Sequence, residues 1–189
     1  MAVLPIAPIG HPVLRAPTRQ VSAAELASED VQRLIDDMID TMRAANGAGI
    51  AANQVYADLR IATIEVTRNR RYPYKPPIPL TVIVNPILRP VDDETVVINE
   101  GCLSVPLRGD LLRSVTVEVT YLDREGTAHV ETKRGLTAGT FQHEIDHLDG
   151  TLIVDRIDPV TFATWEQFDA HQRGPFVDRI TEFVRRVGS

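Results

Sequence analysis

The stretch Gln142-His143-Glu144-Ile145-Asp146-His147 limits the possible folds of this chain more than any other. Two histidines four apart face the same way only on a helix, where residues i and i+4 project from one side about one turn apart. Phe141, Ile145 and Leu148 give the same segment an apolar face. The pattern predicts a helix over 136–149, closed by Gly150 at its C′ position. Such a helix belongs in the interior, covered on its apolar side by other elements.

The spacing also points to chemistry. His143 and His147 can offer two nitrogens to one metal ion, while Glu144 is placed to address a water beside the ion. This is the His-Glu-x-x-His (HExxH) arrangement of metal hydrolases. A lone helical histidine is usually packed or solvated; two of them with the glutamate favour a metal. Catalytic zinc sites of this kind take three protein ligands and keep one position open. Downstream, Glu166, His171 and Glu182 stand in no ligand motif. Upstream, Glu100-Gly101-Cys102-Leu103-Ser104 holds the single cysteine of the chain. A metal holds a thiol deprotonated, and the thiolate is a strong ligand. Cys102 is the expected third ligand, carried by a loop beside the helix, with Gly101 allowing close backbone approach. A third stretch, Gly47-Ala48-Gly49-Ile50-Ala51-Ala52-Asn53-Gln54, reads either as a helix stop with a tight turn or as backbone that approaches a substrate, with the Gln54 amide as donor. It lacks the lysine of a phosphate loop.

Around these stretches the pattern is α+β. Val31, Leu34, Ile35, Met38, Ile39 and Met42 share one face of a helix over 29–45, with Ser28 as N-cap and Asn46-Gly47 as its stop. Residues 59–66 and 81–85 are β-branched runs. Residues 114–122 alternate and return over 127–132 through the turn Asp123–Gly126, an antiparallel hairpin. Asp158-Pro159 reads as the start of a helical segment, and Pro175 as the start of a last helix. There Phe176, Ile180, Phe183, Val184 and Val187 form a stripe read as internal packing in a monomer. The expected architecture is antiparallel sheets around a central metal-binding helix, with N-terminal and C-terminal helices packed outside. Residues 1–189 are read as a single domain.

The net charge of −6 over 189 residues leaves no footprint for nucleic acid. No apolar run approaches the roughly 20 residues of a membrane helix. The N-terminus has no basic start before an apolar block, and a single cysteine cannot form an internal disulfide. These features favour a cytoplasmic protein. The basic, Pro-rich run from Arg68 to Lys75 is read as a solvated loop, with transient ribosome contact as its functional alternative.

The three stretches GAGIAANQ, EGCLS and QHEIDHLDG, in this order and spacing, resemble the three motifs of the peptide deformylase family. The resemblance covers nearly the whole chain. It implies a metal-dependent hydrolase that removes the formyl group from the N-terminal formylmethionine of nascent peptides and releases formate. It implies Cys102, His143 and His147 as metal ligands, with Fe²⁺ as the usual ion and Zn²⁺, Ni²⁺ or Co²⁺ as alternatives. Glu144 is then the base, and the Gln54 amide and Leu103 backbone N–H are the oxyanion donors. The peptide lies along Ala48-Gly49 as an added strand, its first side chain in a pocket with Leu103 and Leu136. Glu100 orients groups around that pocket, and Arg108 binds the peptide further along. Three positions depart from the family pattern: Ala48, a short segment at Leu107-Arg108-Gly109, and Gly139, where bulkier side chains are common. The competing readings are an HExxH metallopeptidase and a non-catalytic metal-binding relative.

Overall fold

The computed structural model of the chain describes residues 2–67 and 73–189. Residues 68–72, most of the basic run expected to form a solvated loop, lie outside the described residues. Helix α1 (Ala23–Leu26) precedes α2 (Glu29–Ala44), whose N-cap Ser28 accepts a hydrogen bond from the Val31 N–H. A five-stranded sheet follows, built from β1 (Gly49–Ala51), β2 (Ile61–Val66), β3 (Ile78–Pro90), β6 (Thr116–Leu122) and β7 (Ala128–Arg134). Its order is β1-β2-β3-β6-β7, and every pairing is antiparallel. A smaller sheet holds β4 (Thr95–Cys102), β5 (Val105–Ser114) and β8 (Ala163–Thr164) in that order. Helix α3 (Gly135–Leu148) carries the histidine motif, and α4 (Trp165–His171) and α5 (Arg173–Val187) end the chain. The α+β architecture matches the sequence reading. No helix among the described residues is long and apolar enough to cross a membrane.

The large sheet is covered on both faces, which explains why β2 reads as an almost unbroken apolar run. Ile61 joins the cluster formed with Ile35, Met38 and Met42 of α2. Ala62, Ile64 and Val66 join Phe141, Ile145 and Leu148 of α3. Alternate residues of a strand face opposite sides, so one strand serves two cores. Burying each such side chain contributes roughly 2 kcal/mol. A third cluster packs Phe176, Ile180 and Phe183 of α5 against Leu136, Ile98 and Val115. The C-terminal stripe is thus spent on this body, as expected.

Several boundaries move. Strand β3 runs well beyond 81–85, turning at Asn85, whose φ of 51° is eased by reciprocal side-chain bonds with the Val21 backbone. Asp158-Pro159 begins only a short 3₁₀ turn. The last helix starts at Arg173, two residues before Pro175, because proline is tolerated within the first helical turn. Cys102 is not on a loop: it ends β4, and Leu103-Ser104 make the tight turn into β5, with Cys102 paired to Val105. Leu107-Arg108-Gly109 is likewise continuous strand, with Arg108 opposite Gly101 and Gly109 opposite Glu100. Gly150 sits at C′ of α3 as expected, with φ +74°, and a Cβ there would lie 2.6 Å from the Arg15 carbonyl oxygen.

A paired ionic contact locks α2 to the sheet: Arg43 Nε and Nη2 meet Glu65 Oε2 and Oε1 at 2.7 and 2.8 Å. The Arg43 bonds hold the Glu65 carboxyl below its ordinary value of 4.5. A depressed carboxyl contributes stability above the unfolded-state value, and that contribution fades as pH falls through the folded value. Glu65→Gln is therefore expected to cost about 1 kcal/mol at pH 7 and little at pH 3. Urea midpoints from pH 3 to 7 check this; parallel curves for both proteins would sink the idea.

Candidate metal centre and its cavity

Helix α3 packs across the sheet with Phe141, Ile145 and Leu148 downward, which turns His143, Glu144 and His147 toward β1 and the end of β4. The ligand atoms of Cys102, His143 and His147 all lie within 4.8 Å of one another. Cys102 Sγ is 3.2 Å from His147 Nε2. Burial disfavours a thiolate there, but the adjoining His147 and His143 rings outweigh it and hold the Cys102 thiol down to about 5. A soft anion and two imidazoles converging on one point suit a divalent transition metal.

The groups behind the ligands are also fixed. His143 Nδ1 lies 2.9 Å from Glu100 Oε2, which sets the ring's orientation. Glu100 is gripped by Arg113, Nε to Oε1 at 2.8 Å and Nη2 to Oε2 at 2.9 Å. Arg113 Nη1 also reaches Asp146 Oδ2 on α3 at 2.5 Å. Burial alone would raise the Glu100 carboxyl; the Arg113 charge overcomes it and holds it well below the ordinary carboxylate range. Burial pushes the Glu144 carboxyl up, opposed by the neighbouring histidines. Among the described residues, three buried side-chain atoms have no hydrogen-bond partner: Glu144 Oε2, His147 Nδ1 and Asn53 Oδ1. Such orphans mark places where a water or ligand belongs. The Asn53 amide also donates to the His147 carbonyl at 2.6 Å.

On the opposite wall, Gln54 is buried and held at both ends. Its Oε1 accepts from the Ala51 N–H at 2.9 Å, and its Nε2 donates to Ser104 Oγ at 3.0 Å, with Cys102 Sγ 3.6 Å away. Gly49 has no room for a side chain: a Cβ would stand 2.3 Å from Glu144 Oε1. Among the described residues, strand β1 pairs with β2 alone and so forms the edge of its sheet, with Gly49 lining the cavity.

A cavity of about 50 Å³ gathers most of the residues singled out from sequence: Ala48, Gly49, Gln54, Glu100, Cys102, Leu103, Leu136, His143 and Glu144. Arg108 does not line it. Arg108 is 1% exposed, its guanidinium 3.5 Å from the Phe168 ring centroid and 4.3 Å from that of Trp165, and it bonds Asn99 through Nε and Nη2. The guanidinium is thus held among Asn99, Trp165 and Phe168, outside the lining of the cavity. Lys75 is a second correction. Instead of standing in a solvated loop, its half-buried side chain enters the cavity, and Nζ donates to Thr140 Oγ1 at 2.9 Å. The preceding Tyr74 packs edge-on against Phe176 of α5, 5.2 Å between centroids, and this contact turns the loop inward. Sequence reasoning also passed over Ser104, Asn53, Arg113 and Asp146. Asn53, Ser104 and Asp146 all stood inside the quoted stretches, whereas Arg113 stood in none of them.

Residues 3–163 match the family model for polypeptide deformylase. Chloroplastic peptide deformylase 1A of Solanum lycopersicum is 42% identical over 171 residues, 85% of this chain; the chain spans 61% of that longer protein. Peptide deformylase of Xylella fastidiosa strain 9a5c is 40% identical over 161 residues, 85% of this chain and 90% of the relative. Among solved structures, the class I type b peptide deformylase of Acinetobacter baumannii with Met-Ala-Ser bound superposes with a TM-score of 0.80 at 41% identity, covering 82% of this chain and 99% of that one. The Thermotoga maritima enzyme gives 0.74 at 34% identity, covering 84% and 100%.

If Glu100 fixes His143 for metal binding, Glu100→Gln should weaken divalent-metal affinity by about 10- to 100-fold. Competition against a chromophoric chelator measures this; unchanged affinity would remove Glu100 from the metal centre.

Proposed function

The chain belongs to the peptide deformylase family, metal-dependent enzymes that remove the N-formyl group from nascent peptides, and from that premise we propose a role for each residue of the cavity. The observation that carries the assignment is the meeting of a Cys102/His143/His147 ligand set with an unpartnered Glu144 oxygen at one cavity. Cys102, His143 and His147 hold one divalent ion, most simply Fe²⁺, although the donor set also accepts Zn²⁺, Ni²⁺ or Co²⁺. When bound, such an ion acidifies water and polarises a carbonyl oxygen.

Glu144 accepts the proton of the attacking water and returns it to the departing amine. Its raised affinity for protons suits both transfers. The Gln54 amide and the Leu103 backbone N–H take the charge that develops on the formyl oxygen. Gln54 is suited to this because Ala51 and Ser104 hold its amide before any substrate arrives, and a donor fixed in advance costs no reorganisation. The peptide adds as a strand to the edge of β1 beside Ala48 and Gly49, with its first side chain toward Leu103, Leu136 and Gly139. Glu100 holds His143 from behind, and Arg108 supports the β4–β5 pair and Tyr74 without touching substrate.

The substrate is a formylmethionyl nascent peptide, and the enzyme acts as a monomeric single domain in the cytoplasm. The burial of the α5 stripe against the body supports a monomer. Transient ribosome contact is assigned to the basic run from Arg68 to Lys75, of which residues 68–72 lie outside the described residues.

The decisive test loads anaerobically purified protein with Fe²⁺ or Ni²⁺ and measures formate from formyl-Met-Ala-Ser. Wild type should release formate, and Glu144→Ala should lose at least 10²-fold while keeping its metal. Gly49→Ala, which crowds Glu144, should lose on the order of 10²-fold with its metal retained. No formate from fully metallated wild type would refute the assignment.

A further inference from the structure

The cavity proposed to receive the first side chain is lined at two positions by residues with little or no side chain. Ala48 and Gly139 present almost no side chain to it, and a Cβ on Gly139 would already stand 3.0 Å from Ile98 Cδ1 and 3.9 Å from Glu100 Oε1. The loop before β3 lines the same cavity through Tyr74 and Lys75. Lys75 extends into the cavity and donates to Thr140 Oγ1 at 2.9 Å. The Thr140 hydroxyl in turn donates to the Leu136 carbonyl at 3.0 Å, so its lone pair is presented to the amine. The loop is seated from outside by Tyr74 on Phe176. Burial lowers the Lys75 amine's hold on its proton, and the nearby Glu100 and Glu144 charges act to keep it protonated.

An ammonium group donates hydrogen bonds and accepts none. In a partly desolvated pocket it favours an occupant that ends in an acceptor over one that ends in a methyl group. We propose that Lys75 is a specificity-determining residue that gives the first-side-chain pocket a hydrogen-bonding cationic end, so that this deformylase accepts formyl peptides whose first residue is methionine sulfoxide. The sulfoxide fits the argument by shape as well as chemistry: its chain is unbranched up to the sulfur, and its oxygen is a strong acceptor where the thioether is a weak one. The inference rests on the proposed reading that the cavity beside Leu103, Leu136 and Gly139 receives the first side chain.

The test compares kcat/KM for formyl-methionine-sulfoxide-Ala-Ser and formyl-norleucine-Ala-Ser in metal-loaded wild type and Lys75→Met. The variant keeps an unbranched chain and removes the donor. The sulfoxide-to-norleucine ratio should fall at least tenfold in Lys75→Met, through slower turnover of the sulfoxide and faster turnover of norleucine. Circular dichroism melts and metal content establish that the variant is folded. Should it fail to fold, Thr140→Val removes the acceptor that seats the amine and is read by the same ratio. An unchanged ratio in the folded variant overturns the role of Lys75 and leaves the deformylase assignment standing. Absence of formate from every formyl peptide, formyl-Met-Ala-Ser included, overturns both.

Discussion

Arg113 is the hinge on which the site is assembled. Its guanidinium is almost wholly removed from solvent, yet it bridges Glu100 of β4 and Asp146 of α3 from its own place on β5. Taking such charges out of water costs several kcal/mol per ion, and removing one partner of an assembled set costs about 3–5 kcal/mol. The network therefore tolerates little displacement. Because Glu100 also meets His143, the same ion pairs that join the small sheet to the helix set the orientation of a histidine in the Cys102/His143/His147 cluster. Cys102 follows two residues after Glu100 on the same strand, so fixing the strand also brings the thiol to the histidines.

Apolar packing does the complementary work. The large sheet shares itself between α2 and α3, and this fixes the height and rotation of the motif helix. Glycines then let the parts approach. Gly49 leaves space for Glu144, and Gly101 leaves space for Trp165, whose Cζ2 would lie 2.4 Å from a Cβ there. Trp165 and Phe168 sandwich Arg108, and Phe176 seats Tyr74. Trp165, Phe168 and Phe176 lie past the end of the family-model match at residue 163. In this chain the C-terminal helices thus buttress the back of the site and its loop, beyond simply covering the body.

The cavity also balances charge with economy. Glu100 is committed to Arg113 and His143, whereas Glu144 keeps one oxygen without a partner. Two carboxylates 44 positions apart in numbering from 100 to 144 thereby take opposite characters, one held ionised by a fixed cation and one drawn toward its protonated form by burial.

Much of this could be read from local pattern. The spacing of His143 and His147, the α2 stripe with its Ser28 cap, the 114–132 hairpin and Gly150 depend on helix and strand periodicity and on turn chemistry, which act over a few residues. Cys102 was singled out by residue chemistry and family resemblance, and its Sγ lies within 4.8 Å of ring nitrogens of His143 and His147. What sequence alone did not place were Cys102 on a strand, Arg108 outside the cavity lining, the Arg113–Glu100–Asp146 network and Lys75 inside the cavity. Each depends on contacts between residues far apart in the chain: β4 paired with β5, β5 against α4, Tyr74 against α5. Local propensity carries no information about such pairings. The residue types and periods of this chain determined its elements and its chemistry. Tertiary packing alone decided which charged side chains face the cavity, because burying a charge is tolerated only where distant partners supply its hydrogen bonds.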